Sequence, residues 1–297
     1  VWSDAGLVQA LVNDTYAFVM HGVEEANTSG MTDDAYFTHN YGMKAVNETA
    51  VSESDVQWYD NGNCPFRWKD IYRGIYNANK ILENIDNVPA SQGYDLDIMK
   101  GEAYFLRAYL YTELVRGFGG VPLVNKIYTL DEAGNIEIPR SNVKECLEFI
   151  LKDIDASLAL LPETVSASNL GRATTGAAKG LKARILLHLA SPLYADRTVN
   201  TLECNQYNGD RNALYEEALT TAKELINGNI YSLVDCNAGS INEIAKNYHK
   251  IIISNNTEMI FIKQVINKGN KGDKNNINRV SLVHDPNGYP NWTVVTP

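Results

Sequence analysis

The stretch GEAYFLRAYLYTELVRGFGGVPLV, Gly101–Val124, decides the architecture. Ala103, Leu106, Leu110 and Leu114 recur at three- and four-residue steps and make one apolar row of an α-helix. Tyr104, Ala108, Tyr111 and Val115 make a second row. A helix that is apolar on two faces is sandwiched between neighbours. The run Gly117-Phe118-Gly119-Gly120, followed by Val121-Pro122, stops it, because glycine and proline both break helical continuity. The spacing predicts a helix over Leu96–Arg116.

Working outward, the pattern returns at an offset of 75 residues. Gly101, Ala103, Leu106, Arg107, Ala108, Leu110 and Leu114 align with Gly176, Ala178, Leu181, Lys182, Ala183, Ile185 and Leu189. Such self-similarity points to a helix-pair repeat of the tetratricopeptide kind, in which each pair buries its face against the next. The second copy is a helix over Thr175–Ala190, stopped at Ser191-Pro192. Each has a following helix. One runs from a Ser141 cap to Leu161 before Pro162. The other covers Asn212–Asn227, with Ala218 and Ala222 allowing close approach and Gly228 closing it. Before the repeat, Ser3 and Asp4 cap a helix carrying Leu7, Val8, Leu11, Val12 and Tyr16. A further helix spans Arg67–Ile85, with Trp68, Ile71, Tyr72 and Ile75 on its core face.

Two regions break the periodicity. Residues 21–63 are polar and rich in Asn, Asp, Ser and Thr; aperiodic segments of that length tend to carry function. Residues 232–297 are mixed. Within them Glu258–Ile266 reads as a strand or as a buried segment crossing the helices, and 267–278 as a loop.

Composition narrows the function. The 297 residues are 44% hydrophobic and 21% charged, as in ordinary globular chains. The net charge of −10 argues against nucleic acid, which needs a basic face. No apolar run reaches the ~18 residues of a membrane-spanning helix. Cys64, Cys146, Cys204 and Cys236 are widely spaced and lack a C-x-x-C metal or redox motif. Two disulfides remain arithmetically open, although four thiols in so long a chain suit free buried residues. There are 17 Tyr and 4 Trp against 7 Phe, and rings with a polar edge suit wet, sugar-like surfaces.

Four stretches together resemble the SusD/RagB family of Bacteroidetes: WKDIYRGIYNANKIL (Trp68–Leu82), Gly101–Val124, RATTGAAKGLKARILLHLASPLY (Arg172–Tyr194) and YEEALTTAKELI followed by YSLV. The Phe-Gly-Gly-Val-Pro block and the Arg-Ala-Thr helix start are the specific features. The resemblance implies a mainly α, tetratricopeptide-like scaffold of the SusD type, with long loops and little strand. It implies a glycan-binding lipoprotein exposed on the outer membrane beside a TonB-dependent transporter of the SusC type. It covers the helix-rich N-terminal portion of that family, with the lipidated Cys and the C-terminal region outside this chain. The 297 residues are thus expected to be one SusD-like domain, with 21–63 as the ligand-loop candidate.

The resemblance places ligand contacts in loops before the first long scaffold helix and in the later half. In the first region the candidates are Tyr36, His39, Tyr41, Trp58, Tyr59, Asp60 and Asn61; in the tail they are Tyr289 and Trp292. The C–H face of a pyranose stacks on an aromatic ring while its hydroxyls need Asn or Asp partners, and Trp58–Asn61 supplies both. Trp58 serves equally well as an anchor of its loop. Catalysis has little footing: the five His form no H-E-x-x-H, and there is no phosphate loop or nucleophile elbow. Asp33-Asp34 is the weak case for an acid pair of a glycosidase. No cofactor is expected; structural calcium at loops 27–40 or 205–210 stays open. The function expected is capture of an oligosaccharide and its delivery to the partner transporter. The alternative is a protein- or peptide-binding scaffold in the same complex.

Overall fold

A computed structural model describes residues 2–19, 67–129, 132, 137–196, 198 and 201–263, and the backbone of 35–37 and 293–295. Its elements in order are α1 (Ala5–Tyr16), β1 (Ala35–Phe37), α2 (Trp68–Asn84), α3 (Leu96–Phe118), α4 (Val143–Leu158), α5 (Thr175–Ala190), α6 (Arg211–Asn227), α7 (Ile241–Ile253) and β2 (Thr293–Val295). The fold is mainly α. The chain divides into two compact units, one of Val1–Tyr16 with Ile75–Ile262, the other of Ala17–Gly74 with Lys263–Pro297.

The first unit is the helical array. At 23 residues α3 is ~35 Å long at 1.5 Å per residue, and it is its axis. Both apolar rows are covered: Ala103, Leu106, Leu110 and Leu114 are fully buried, and so are Ala108, Tyr111 and Val115. The sandwiching partners are α4 and α1, while α4 also packs on α5 and α5 on α6. Against the start of α3, Ala5, Val8 and Val12 of α1 meet Ile81, Ile85, Val88, Met99 and Ala103 in one buried cluster.

The helix-pair repeat is physical. A Cβ added to Gly101 would lie 2.9 Å from Leu160 Cβ, just past the end of α4; one added to Gly176 would lie 2.2 Å from Tyr231 Oη, just past the end of α6. The aligned glycines thus do the same thing. Each lets the chain leaving the second helix of a pair close over the start of the first, which makes both pairs antiparallel.

Caps explain where helices begin. Asp4 Oδ1 accepts from Gly6 N at 2.7 Å, and Asp95 from Ile98 N at 3.0 Å. The helix expected from a Ser141 cap starts one residue later. Asn142 accepts from Glu145 N at 2.9 Å and Glu145 accepts from Asn142 N at 2.9 Å, a reciprocal capping box that Ser141 lacks the partner to make. It also ends at Leu158 instead of Leu161. Helix α3 closes on Gly119 at φ +74°, a conformation other residues adopt at a cost. The following turn is gripped by Arg140, which donates to the carbonyls of Phe118 and Gly120, and by Asn205, which accepts from Gly120 N at 3.0 Å.

Within the irregular stretch expected over 232–297, residues 241–253 form the Ser240-capped helix α7. Residues 258–263 of the candidate strand are irregular, so the strand reading of Glu258–Ile266 does not hold there. Nor is the segment buried, since 259–262 are half-buried and 258 and 263 exposed, although Phe261 does meet Phe105 edge-on with ring centres 5.1 Å apart. Residues 264–266 lie outside the described set.

In the second unit β1 and β2 pair antiparallel, Ala35 with Val295, Tyr36 with Val294 and Phe37 with Thr293. Trp68 and Tyr72 pack with ring centres 4.9 Å apart, and Arg73 lies over the Phe18 ring at 5.9 Å.

Candidate functional site

The motifs that carry the family resemblance hold the scaffold together. In Arg172-Ala173-Thr174 every residue has a distinct task. Arg172 Nη1 donates to both oxygens of Glu102 at 2.8 Å, and Nη2 to Asn13 Oδ1 at 2.6 Å. Ala173 N donates to Tyr16 Oη at 2.8 Å, and Tyr16 Oη donates to Glu102 Oε1 at 2.9 Å. Thr174 caps α5 through Ala177 N at 3.2 Å. Three residues thereby tie the start of α5 to α1 and α3. Burial pushes the Glu102 carboxyl up, against the pull of Arg172, and pushes Tyr16 well above the ordinary phenol value.

One turn of helix further on, Arg107 Nε and Nη2 each donate to Asp153 at 2.7 Å, and Nη1 donates to Asn79 Oδ1 at 2.8 Å. Asn79 donates to Val124 O at 2.9 Å, so α2, α3, α4 and the chain after α3 share one buried network. The guanidinium also lies 5.0 Å from the Phe149 ring centre. Burial raises the Asp153 carboxyl. Its repeat counterpart, Lys182, pairs in a more exposed setting with Asp155 at 3.3 Å and Glu217 at 3.0 Å.

A cavity of about 180 Å³ opens beside this framework. Its walls are residues 163–174 between α4 and α5, the Ile230–Tyr231 turn after α6, and the crossing segment 255–262. Tyr231 is held there by its hydroxyl, 3.3 Å from Thr174 Oγ1, and Phe261 by Phe105 and Tyr109. Sequence reasoning did not find this cavity. Its walls are far apart in the chain, and the one signal was that Glu258–Ile266 is more apolar than a surface loop needs.

Of the sequence-derived ligand candidates, the structure places the backbone of Tyr36. It lies in β1 opposite Val294, so the first candidate region and the strand that follows Trp292 in sequence are hydrogen-bonded neighbours. His39, Tyr41, Trp58, Tyr59, Asp60, Asn61, Tyr289 and Trp292 lie outside the described residues, as does calcium loop 27–40 apart from that strand. In loop 205–210, Asn205 is committed to Gly120 and Arg140, and Asp210 caps α6 through Asn212 N and Ala213 N. Among the described residues no three His, Cys, Asp or Glu gather as metal ligands, and no helix is long and apolar enough to cross a membrane. Cys146, Cys204 and Cys236 are free thiols, and burial pushes Cys146 up to about 11.

The family model for SusD-like proteins, described as starch-binding associating with outer membrane, matches residues 3–187, well over half of the chain. The chain belongs to the SusD-like family. The match runs through α1 to α4 and most of α5, the helices joined by the Arg172 and Arg107 networks. SusD-like protein P25 of Formosa agariphila is 34% identical over 145 residues, 48% of this chain and 26% of that protein. A SusD-like protein of Bacteroides fragilis shares the fold at TM-score 0.73 with 28% identity, over 95% of this chain and 48% of that one. A laminarin-binding SusD-like protein does so at TM-score 0.57 with 20% identity, over 77% and 46%. The chain thus spans about a quarter of the curated SusD-like relative and about half of the two solved structures.

Proposed function

We propose that this SusD-like chain belongs to a surface protein that captures oligosaccharide and delivers it to a TonB-dependent transporter of the outer membrane. The observation that carries the reading is the family match, laid over a scaffold whose motif residues are used in packing. Relatives that keep such a scaffold remain free to vary their ligand loops. The laminarin-binding relative supports a glycan as cargo, and the family description supports the outer membrane as location. A binding role fits the buried ionisable groups. Glu102, Glu113 and Asp153 are each engaged by an arginine, the first and last across elements and Glu113 within α3, which leaves no free acid–base pair among them. Neither a cofactor nor a metal is required, because capture rests on stacking and hydrogen bonds, weak enough at each contact to permit release.

Ligand contacts are assigned to Tyr36, His39, Tyr41 and Trp58–Asn61, with Tyr289 and Trp292 from the tail. Electrophoresis through gels containing starch or laminarin tests the assignment. The wild-type protein is expected to be retarded by at least one glycan, and a Trp58→Ala, Tyr59→Ala variant to run free. An unchanged retardation of the variant would remove these two rings from the site. Free migration of the wild type through every glycan would remove the glycan reading itself, and co-purification with the transporter alone would favour a protein-binding scaffold.

A further inference from the structure

We propose that the cavity beside Arg172 is a second carbohydrate site, built from residues other than those of the candidate loops, and that it takes one neutral sugar ring of a bound chain. The proposal rests on the glycan reading above and adds a place and a ligand class to it.

Size comes first. Drug-sized ligands occupy pockets of ~300–1,000 Å³. At about 180 Å³ this cavity suits a single ring whose neighbours continue into solvent. Its walls then set the chemistry. Met259, Ile260, Phe261 and Ile262 give an apolar lining, and Phe261 is packed edge-to-face against Phe105. A ring braced in this way offers a stacking surface for the C–H face of a sugar at little entropic cost.

Polar groups stand around that lining. Asn255 and Glu163 line the cavity, and among the described residues neither side chain has a hydrogen-bond partner. Arg172 uses Nη1 and Nη2 on Glu102 and Asn13 and keeps its Nε–H without a protein acceptor among the described residues. Amide, carboxylate and guanidinium N–H are the groups that hydroxyls pair with.

Charge selects among sugars. Arg172 is the single cation of the lining, and Glu102 already neutralises it with a bidentate pair. Glu163 adds a carboxylate. A uronic acid or sulfated sugar would therefore meet net repulsion, whereas a neutral hexose would not.

Met259 is a built-in reporter. The protein labelled with [methyl-13C]methionine is titrated to millimolar concentration with the neutral oligosaccharide of whichever glycan retards it, maltoheptaose or laminarihexaose. The Met259 methyl signal, assigned by its loss in Met259→Leu, is expected to move, while that of Met99, buried in the core, stays in place. Asn255→Trp, a change at an exposed position that fills the mouth, is expected to abolish the shift with the thermal melt unchanged. A glycan that retards the wild-type protein but leaves Met259 unmoved overturns the cavity site while the glycan reading stands. Neither retardation nor a shift overturns both. An equal shift with an oligogalacturonate overturns the neutral-sugar assignment.

Discussion

Asp153→Ala is the most telling single change to the scaffold. The side chain is 2% exposed and accepts two 2.7 Å hydrogen bonds from Arg107, itself 9% exposed. Truncation leaves a guanidinium buried with only Asn79 Oδ1 as partner. Removing one member of a buried ion pair costs ~3–5 kcal/mol, because the remaining charge stays desolvated. The control is the repeat counterpart. Asp155 is 61% exposed and pairs with Lys182, which also keeps Glu217. Exposed pairs are worth ~0–1 kcal/mol, and Asp155→Ala should cost no more. Urea unfolding followed by circular dichroism separates the two. With a slope of ~3 kcal/mol per molar for a chain of this size, Asp153→Ala should lower the midpoint by about 1 M or more, and Asp155→Ala by a small fraction of that. Arg107→Met combined with Asp153→Leu should recover most of the loss, since an apolar pair of similar volume carries no desolvation penalty. Equal midpoints for Asp153→Ala and Asp155→Ala would refute the claim that burial makes the first pair decisive.

The glycines give opposite expectations. A Cβ on Gly120 would lie 2.2 Å from Ser141 O and 2.5 Å from Cys204 O, both backbone atoms, so Gly120→Ala should destabilise by about 3 kcal/mol in the same assay. Gly180, inside α5 with nothing within 4 Å of such a Cβ, should gain ~0.5–1 kcal/mol as alanine. The pH response follows from Glu102, Glu113 and Asp153, whose carboxyls burial raises above ordinary values of 4.5, 4.5 and 3.8. An acid raised in the folded state contributes stability that is present below its unfolded value and lost as pH rises through the folded one. The urea midpoint should therefore rise as pH is lowered from 7 toward 5, and Glu113→Gln should flatten that rise. His188 opposes it, since burial and Arg116 lower it from 6.5, so its contribution is lost as pH falls; His188→Gln should steepen the rise.

The repeat could be read from sequence because its causes are local. Apolar rows at helical spacing, Pro and Gly stops and capping residues act within one or two turns, and they placed α1 to α6 to within a few residues. Ser141 misled because a cap is decided by its partner three residues on, and Glu145 stands at that spacing from Asn142. Glu258–Ile266 was ambiguous because an apolar run has the same composition whether it pairs as a strand or lies across helices. The candidate site was readable as residue types, aromatic rings beside amides, but the composition of 21–63 carries no periodicity from which a geometry follows.

By itself, then, the amino-acid sequence determined helices α1 to α6, their pairing into a repeat and the family, since the signals that mark each helix lie close along the chain, whereas α7 emerged only in the structure. The tertiary structure alone decided why the motif residues are there. Glu102 meets Arg172 across 70 positions, and Arg107 meets Asp153 across 46. It alone decided that Gly101 and Gly176 admit Leu160 and Tyr231, and that three distant segments enclose a cavity beside Arg172. Burial, ion pairing and enclosed space belong to the packed arrangement, which composition and spacing do not specify.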